Sequence, residues 1–209
     1  DDFQGAVGHG GGYGNVYYKT ATMLFNLQYL LGDTLFSNAM KNYFNEWKIA
    51  HPYFEDFRNS IINYTHTDLN WFFDQWLETF KVIDYKVGRV KNKGDGNYTI
   101  TFKRKGSMQM PIDFSVYDVD GKRYDYYIPN NWFEKKTSAT HLPRWIGWGV
   151  INPTYKAQIK IDGKLSNVVI DTSGRLADIN RLDNSRKMPY IVRFDSRVSN
   201  TPDWHRYEF

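Results

Sequence analysis

The sequence predicts an α+β chain in two parts, a bundle of helices followed by an antiparallel β-sandwich. Three observations carry that expectation. Apolar residues recur at helical spacing up to about residue 80. Beyond about residue 81 the period becomes two, with turn signals between the alternating runs. The charge changes sign at the same place: residues 1–80 hold 4 basic and 9 acidic residues, net −5, whereas the rest hold 23 and 14, net +9. The expected division is therefore a helical part over 1–80, a β-sandwich over 81–171, and a linker or tail over 172–209.

The helical part reads as four helices in succession. Ala21, Leu24, Leu27 and Leu31 line one face of a run from Val16 to Leu31, and Gly32 ends it as a C-terminal glycine does. A second run places Leu35, Phe36, Ala39, Met40, Tyr43, Phe44 and Trp47 on one face, until His51-Pro52 breaks it. The third carries Phe54, Phe57, Ile61 and Tyr64, with Glu55 and Asp56 in its first turn, where the helix dipole favours acids. The fourth, capped by Thr67 or Asp68, carries Leu69, Phe72, Phe73, Trp76 and Leu77.

The strands follow. Tyr98, Ile100 and Phe102 alternate with polar residues, as do Met110, Ile112, Phe114 and Val116, and again Tyr155, Ala157, Ile159 and Ile161. Gly94-Asp95-Gly96, Asp120-Gly121 and Asp162-Gly163 mark turns between them. Asn130–Pro153 is irregular and holds Trp132, Trp145 and Trp148. After Asp171 the composition shifts to Ser, Gly, Arg, Asp and Asn, which reads as a linker or an edge-wrapping segment. The abrupt ends, Asp1-Asp2 and an aromatic-rich stretch closing on Phe209, read as those of a piece of a longer protein.

Composition narrows the chemistry. Among 209 residues, 41% are hydrophobic and 24% charged, the globular range. A chain this long buries roughly 70% of its unfolded surface and needs no covalent staple. The absence of cysteine excludes disulfides, thiolate nucleophiles and Cys-ligated metals. No apolar run approaches the length of a membrane-spanning helix. The basic residues of the β part are scattered along the sequence, so they read as a solvated surface and no nucleic-acid partner is expected. His9, His51, His66, His141 and His205 are dispersed with no H-E-x-x-H pair, so no helical zinc site is built locally and no metal ligand is assigned. There is no G-x-S-x-G elbow. The stretch from Gly8 through His9, Gly10, Gly11, Gly12 and Tyr13 to Gly14 is too glycine-rich for core. It fits neither phosphate-binding loop pattern, and reads as a loop over a cleft feeding a helix N-terminus.

Val16-Tyr17-Tyr18-Lys19-Thr20-Ala21, followed by an apolar helix ending Leu30-Leu31-Gly32-Asp33, resembles the Tyr-Glu-Lys-Gly stretch of the aminopeptidase N-like gluzincin zinc metallopeptidases. Phe36, Tyr43-Phe44, Trp47, His51-Pro52, Glu55-Asp56-Phe57, Asp68-Leu69, Phe72-Phe73 and Trp76-Leu77 then follow in similar order and spacing, over about residues 13–85. The resemblance implies the C-terminal part of a thermolysin-like catalytic domain followed by the family's β-sandwich, of a bacterial secreted type with an extracytoplasmic setting (periplasmic, outer-membrane-associated or secreted). It implies peptide-bond hydrolysis by the parent protein, with zinc as that protein's cofactor. Tyr17 aligns with the tyrosine whose hydroxyl steadies the tetrahedral oxyanion formed when zinc-bound hydroxide attacks a peptide carbonyl. Tyr18 is the fallback donor, and Lys19 is structural. Tyr18 and Thr20 replace the usual Glu and Gly. The family's zinc ligands precede this tyrosine, so the resemblance implies a fragment with no cofactor of its own, inactive alone, whose partners are the rest of the catalytic domain and the parent's peptide substrate. Two other readings stand beside it. One is a non-enzymatic binding module using Trp132, Trp145 and Trp148 to engage glycan, peptide or protein, and the other is a degenerate family member.

Overall fold

The computed structural model describes residues 14–147 and 150–187. The chain starts on a six-residue π-helix, Gly14–Lys19, which runs into α1 (Thr20–Leu31). Gly32 ends α1 at φ 79°, its N–H donating to the Gln28 carbonyl at 2.8 Å. Then come α2 (Asp33–Trp47), α3 (Phe54–Thr65) and α4 (Asn70–Leu77). Asp56 accepts the Tyr53 N–H at 2.8 Å ahead of α3, and Asp68 accepts the Asn70 N–H at 2.9 Å ahead of α4. Each acid satisfies a donor that the helix start leaves open.

The strands are β1 (Tyr85–Gly94), β2 (Asn97–Arg104), β3 (Ile112–Asp118), β4 (Arg123–Ile128), β5 (Thr140–His141), β6 (Thr154–Lys160) and β7 (Leu165–Ile170). They form two sheets, ordered β1-β2-β6 and β5-β4-β3-β7. All pairings are antiparallel except β4–β5, a short parallel pairing at the edge of the second sheet. The two-residue β5 emerges from the stretch read as irregular. A bulge shifts the β1 register between Val87 and Val90.

The inward residues of both sheets meet as alternation requires. Phe102 of one sheet faces Phe114 of the other with ring centroids 4.7 Å apart, and Tyr126 stacks on Phe114 at 5.1 Å. The Tyr126 hydroxyl donates across to the Lys160 carbonyl at 3.2 Å, and the Tyr98 hydroxyl accepts from Leu165 N–H at 3.1 Å.

The switch from helix to strand near residue 80 does not interrupt the core. Leu27, Leu30, Ile61 and Phe72 belong to the same buried cluster as Ile100, Phe114 and Val168. The Tyr29 hydroxyl accepts the Asp113 N–H at 2.7 Å and lies 3.3 Å from the Pro111 carbonyl. The Gln75 amide pairs with the Gln109 backbone through both its ends. Residues 172–187, part of the stretch read as linker or tail, are anchored at several points. Leu176 is buried in the core, Ala177 N–H donates to Asn26, and Asp178 accepts the Tyr85 N–H at 2.8 Å. A chain with these attachments is part of the fold, because each one satisfies a buried polar group or fills space beside α1 and β1.

Burial departs from the sequence reading in α2. Its apolar stripe is present, yet only Ala39 is buried; Leu35 and Phe44 are exposed. Periodicity identifies the face that a helix would bury, whereas burial needs a partner, and α2 touches its neighbours along one side only.

Candidate active site

Tyr17 and Tyr18 sit in the π-helical turn at the start of the described chain, 61% and 75% exposed. The sequence predicts ordinary helix there, and the structure shows the wider i→i+5 winding, a rare form frequently found at functional sites. The transition to α1 is tied by Thr22, whose hydroxyl donates to the Tyr18 carbonyl at 2.8 Å. Both phenols are thus held at the exposed end of a helix whose other end is welded to the β part through Tyr29. An exposed phenol on an anchored backbone is a suitable donor to a charge developing on a bound substrate. His9, Gly10, Gly11, Gly12 and Tyr13, read as the loop beside this site, lie outside the described residues, as does His205.

Among the described residues there is no group of three or more His, Asp or Glu side chains that could hold a metal ion. The donor set here does not fit a catalytic zinc, and no step through zinc is derived from these residues. His51 and His66 are exposed; His66 is the left-handed residue that ends α3, at φ 51°. The His141 ring lies 2.9 Å from Glu134 at the surface.

The tryptophans separate. Trp145 is buried, its indole N–H donating to the Asn152 carbonyl at 2.9 Å and its ring lying between Tyr85, Tyr155 and Arg104. It therefore offers no stacking surface, contrary to the platform reading. Trp132 is 49% exposed and stacks on Trp71 of α4 at 5.5 Å, with a 12° angle between the planes. Trp148 lies outside the described residues.

A polar cleft of about 280 Å³, not anticipated from the sequence, opens where α1 meets the β part. Each of its cations is paired with an acid: Lys135 with Asp113 at 2.5 Å, Arg123 with Asp125 at 2.6 Å, Arg175 with Asp33 at 2.5 Å. Burial pushes the Asp113 carboxyl above its ordinary range, and the Lys135 ammonium only partly offsets this. Burial likewise raises Tyr29 well above the usual phenol range. With every cation already paired, this cleft is a seam that joins the two parts. Its paired residues lie as far as 142 positions apart in the chain. No local pattern could have announced it.

Residues 13–76 match the model of the Peptidase family M1 domain. No curated protein matches the chain. Among solved structures, the chain is similar to Legionella pneumophila aminopeptidase A in complex with aspartic acid. The TM-score is 0.51 at 17% sequence identity, over 75% of this chain and 16% of that one. The chain thus spans about one sixth of that protein's length. The helical part from Tyr13 to Trp76 is therefore similar in sequence to the M1 peptidase domain, and the α+β fold is similar to a segment of that aminopeptidase.

Proposed function

We propose that the chain is part of a zinc-dependent M1-type peptidase that hydrolyses peptide bonds, acting as an aminopeptidase, and that its own contribution to the reaction is the Tyr17 hydroxyl. The observation that carries this reading is the placement of Tyr17: it lies within the M1-matching residues, in an exposed π-turn at the head of α1. Its role is to donate a hydrogen bond to the oxygen that becomes negative as a peptide carbonyl turns tetrahedral. Such a bond strengthens with the developing charge and so lowers the barrier more than it strengthens substrate binding. Tyr18, one position on, is the fallback donor. Zinc and its ligands belong, in this reading, to parts of the protein that the described residues do not include.

The unburied stripe of α2 supports the same reading. Phe36, Met40 and Phe44 line an open groove, and Phe25, Ile49 and Tyr53 are exposed nearby in sequence. We assign this face to contact with the remainder of the catalytic domain.

The test uses the longer protein that contains this chain. Tyr17→Phe is expected to lower kcat on peptide substrates by roughly 10²–10³ with KM little changed, and Tyr18→Phe to leave kcat within a few-fold. Unchanged turnover in Tyr17→Phe, with loss in Tyr18→Phe, moves the role to Tyr18. Unchanged turnover in both removes the oxyanion assignment.

A further inference from the structure

The lysines that look scattered in the sequence gather on one surface. In the β1-β2-β6 sheet, residues directly opposite each other share a face. Lys86 lies opposite Lys103, Lys91 opposite Thr99, Lys156 opposite Thr101, and Lys160 opposite Asn97. The other face of the same strands is core: Tyr98, Ile100, Phe102, Ala157 and Ile159 are buried. The outer face therefore carries Lys86, Lys91, Lys103, Lys156 and Lys160 among Thr99, Thr101 and Gln158. The three strands contain no Asp or Glu at all.

Compensation comes only from the margins. Asp183 lies 3.5 Å from Lys86, and the exposed Asp162 is held below its ordinary range first by its hydrogen bond with Lys122 and to a smaller extent by the charge of Lys160. Lys91, Lys103 and Lys156 make no ion pair among the described residues. Protection of sheet edges explains lysines on β1 and β6, the two outer strands. It does not explain Lys103, on the central strand and facing Lys86, since like charges directly opposite destabilise a sheet. It also does not explain why no acid interrupts the array.

We propose that this face docks on an anionic lipid surface, with the lysines against phosphate headgroups. Four features favour that occupant. The lysines spread across all three strands over about 20 by 10 Å, taken from strand rise and spacing, a breadth that meets several headgroups at once. Its cations are lysines, which meet phosphate as point charges without base-reading geometry. It shows no aromatic ring on which a nucleic-acid base would stack. In the loop that enters β6, just before Thr154, Val150 is 90% and Ile151 51% exposed, apolar side chains open to solvent next in sequence to the strand that carries Lys156 and Lys160. A second copy of the chain is a poor match. Among the described helical acids Asp33, Asp74 and Glu78 lie within ion-pair distance of Arg175 or Arg58, Glu46 accepts from Ser60, and Asp56 and Asp68 accept backbone N–H groups at helix starts, which leaves exposed Glu55 too sparse a match for five lysines.

The test is cosedimentation of the chain with vesicles of mixed phosphatidylglycerol and phosphatidylcholine, against phosphatidylcholine alone, at about 0.1 M salt, where the screening length is about 10 Å. Binding to the anionic vesicles only is expected. A variant with Lys91, Lys103, Lys156 and Lys160 all changed to Gln is expected to bind more than 100-fold more weakly, at about fivefold per lysine. A control variant changes Lys41, Lys48, Lys136 and Lys164 to Gln, an equal loss of charge elsewhere, and is expected to lose less than tenfold. Thermal melts of all three establish folding. Failure to bind anionic vesicles overturns the proposal, and so does equal weakening by the control set. Tighter binding to single-stranded oligothymidylate than to the vesicles also overturns it, assigning the face to nucleic acid.

Discussion

The β part and the helical part bury their apolar residues to different degrees. In the sandwich the inward residues of every long strand find a partner across the core: Ile100, Phe102, Ile112, Phe114, Val116 and Val168 are all at most 1% exposed. In the helical part α4 is as fully used, with five of eight residues buried, whereas the fifteen-residue α2 buries only Ala39. Two sheets provide each other's missing surface, and the helices that share their core add to it. A helical stripe is complete only where a second element reaches it, and α4 is reached by the β part while the outer side of α2 is not. Apolar patterning in the two regions is equally strong; the supply of partners differs.

Mutation can sharpen that contrast. Phe114→Ala is expected to destabilise the chain by about 3–5 kcal/mol, because it opens a cavity between the two sheets that Phe102 and Tyr126 cannot fill. Phe44→Ala, on the open face of α2, is expected to stay within about 0.5 kcal/mol. Urea denaturation of both variants checks the pair. Similar losses would mean that α2 is covered and that the two regions do not differ in this way.

A smaller effect tests the joint between the regions. Tyr29→Phe keeps the ring and removes the hydroxyl that accepts the Asp113 N–H, leaving a buried donor unpaired. A loss of about 1–3 kcal/mol is expected. One cooperative transition should persist, because the core is continuous across the joint; two separated transitions would show that the parts unfold independently.

The smallest effect is a pH dependence. Asp113 has its folded pKa raised above its unfolded value by burial. The folded state therefore holds this proton more tightly, and the associated stability is present at low pH and lost as pH rises through the raised value. Asp113→Asn removes the titration. The stability difference between wild type and variant should then shift against the wild type as pH increases from about 4, the ordinary carboxyl value, towards neutrality. A difference that moves the opposite way would mean that the Lys135 pairing, and not burial, dominates at this joint.

Much of the fold is legible in sequence because its rules are local. Gly32 ends α1 with a positive φ, the acids at Asp56 and Asp68 take up donors at helix starts, and period-two runs become β2, β3 and β6. The candidate catalytic tyrosines are less legible. Tyr17 stands out only through its resemblance to a family motif, and neither spacing nor composition announces the π-winding that exposes it. Trp145 and Trp132 look alike in an irregular stretch, but one is enclosed by Tyr85, Tyr155 and Arg104 while the other stacks on Trp71 with a face left open. Apart from Tyr155, those neighbours come from helices and strands dozens of residues away in the chain, which no window of sequence contains.

The sequence by itself determined the order of helices and strands, the break near residue 80 and the change of charge there, since each depends on residues within one or two turns of each other. Only the tertiary structure decided that the apolar face of α2 stays open, that Asp33, Asp113 and their partners close a polar seam, and that dispersed lysines gather on one face whose strands carry no acid. Strand register and helix contact bring together residues dozens of positions apart, and both are set by packing of the whole core.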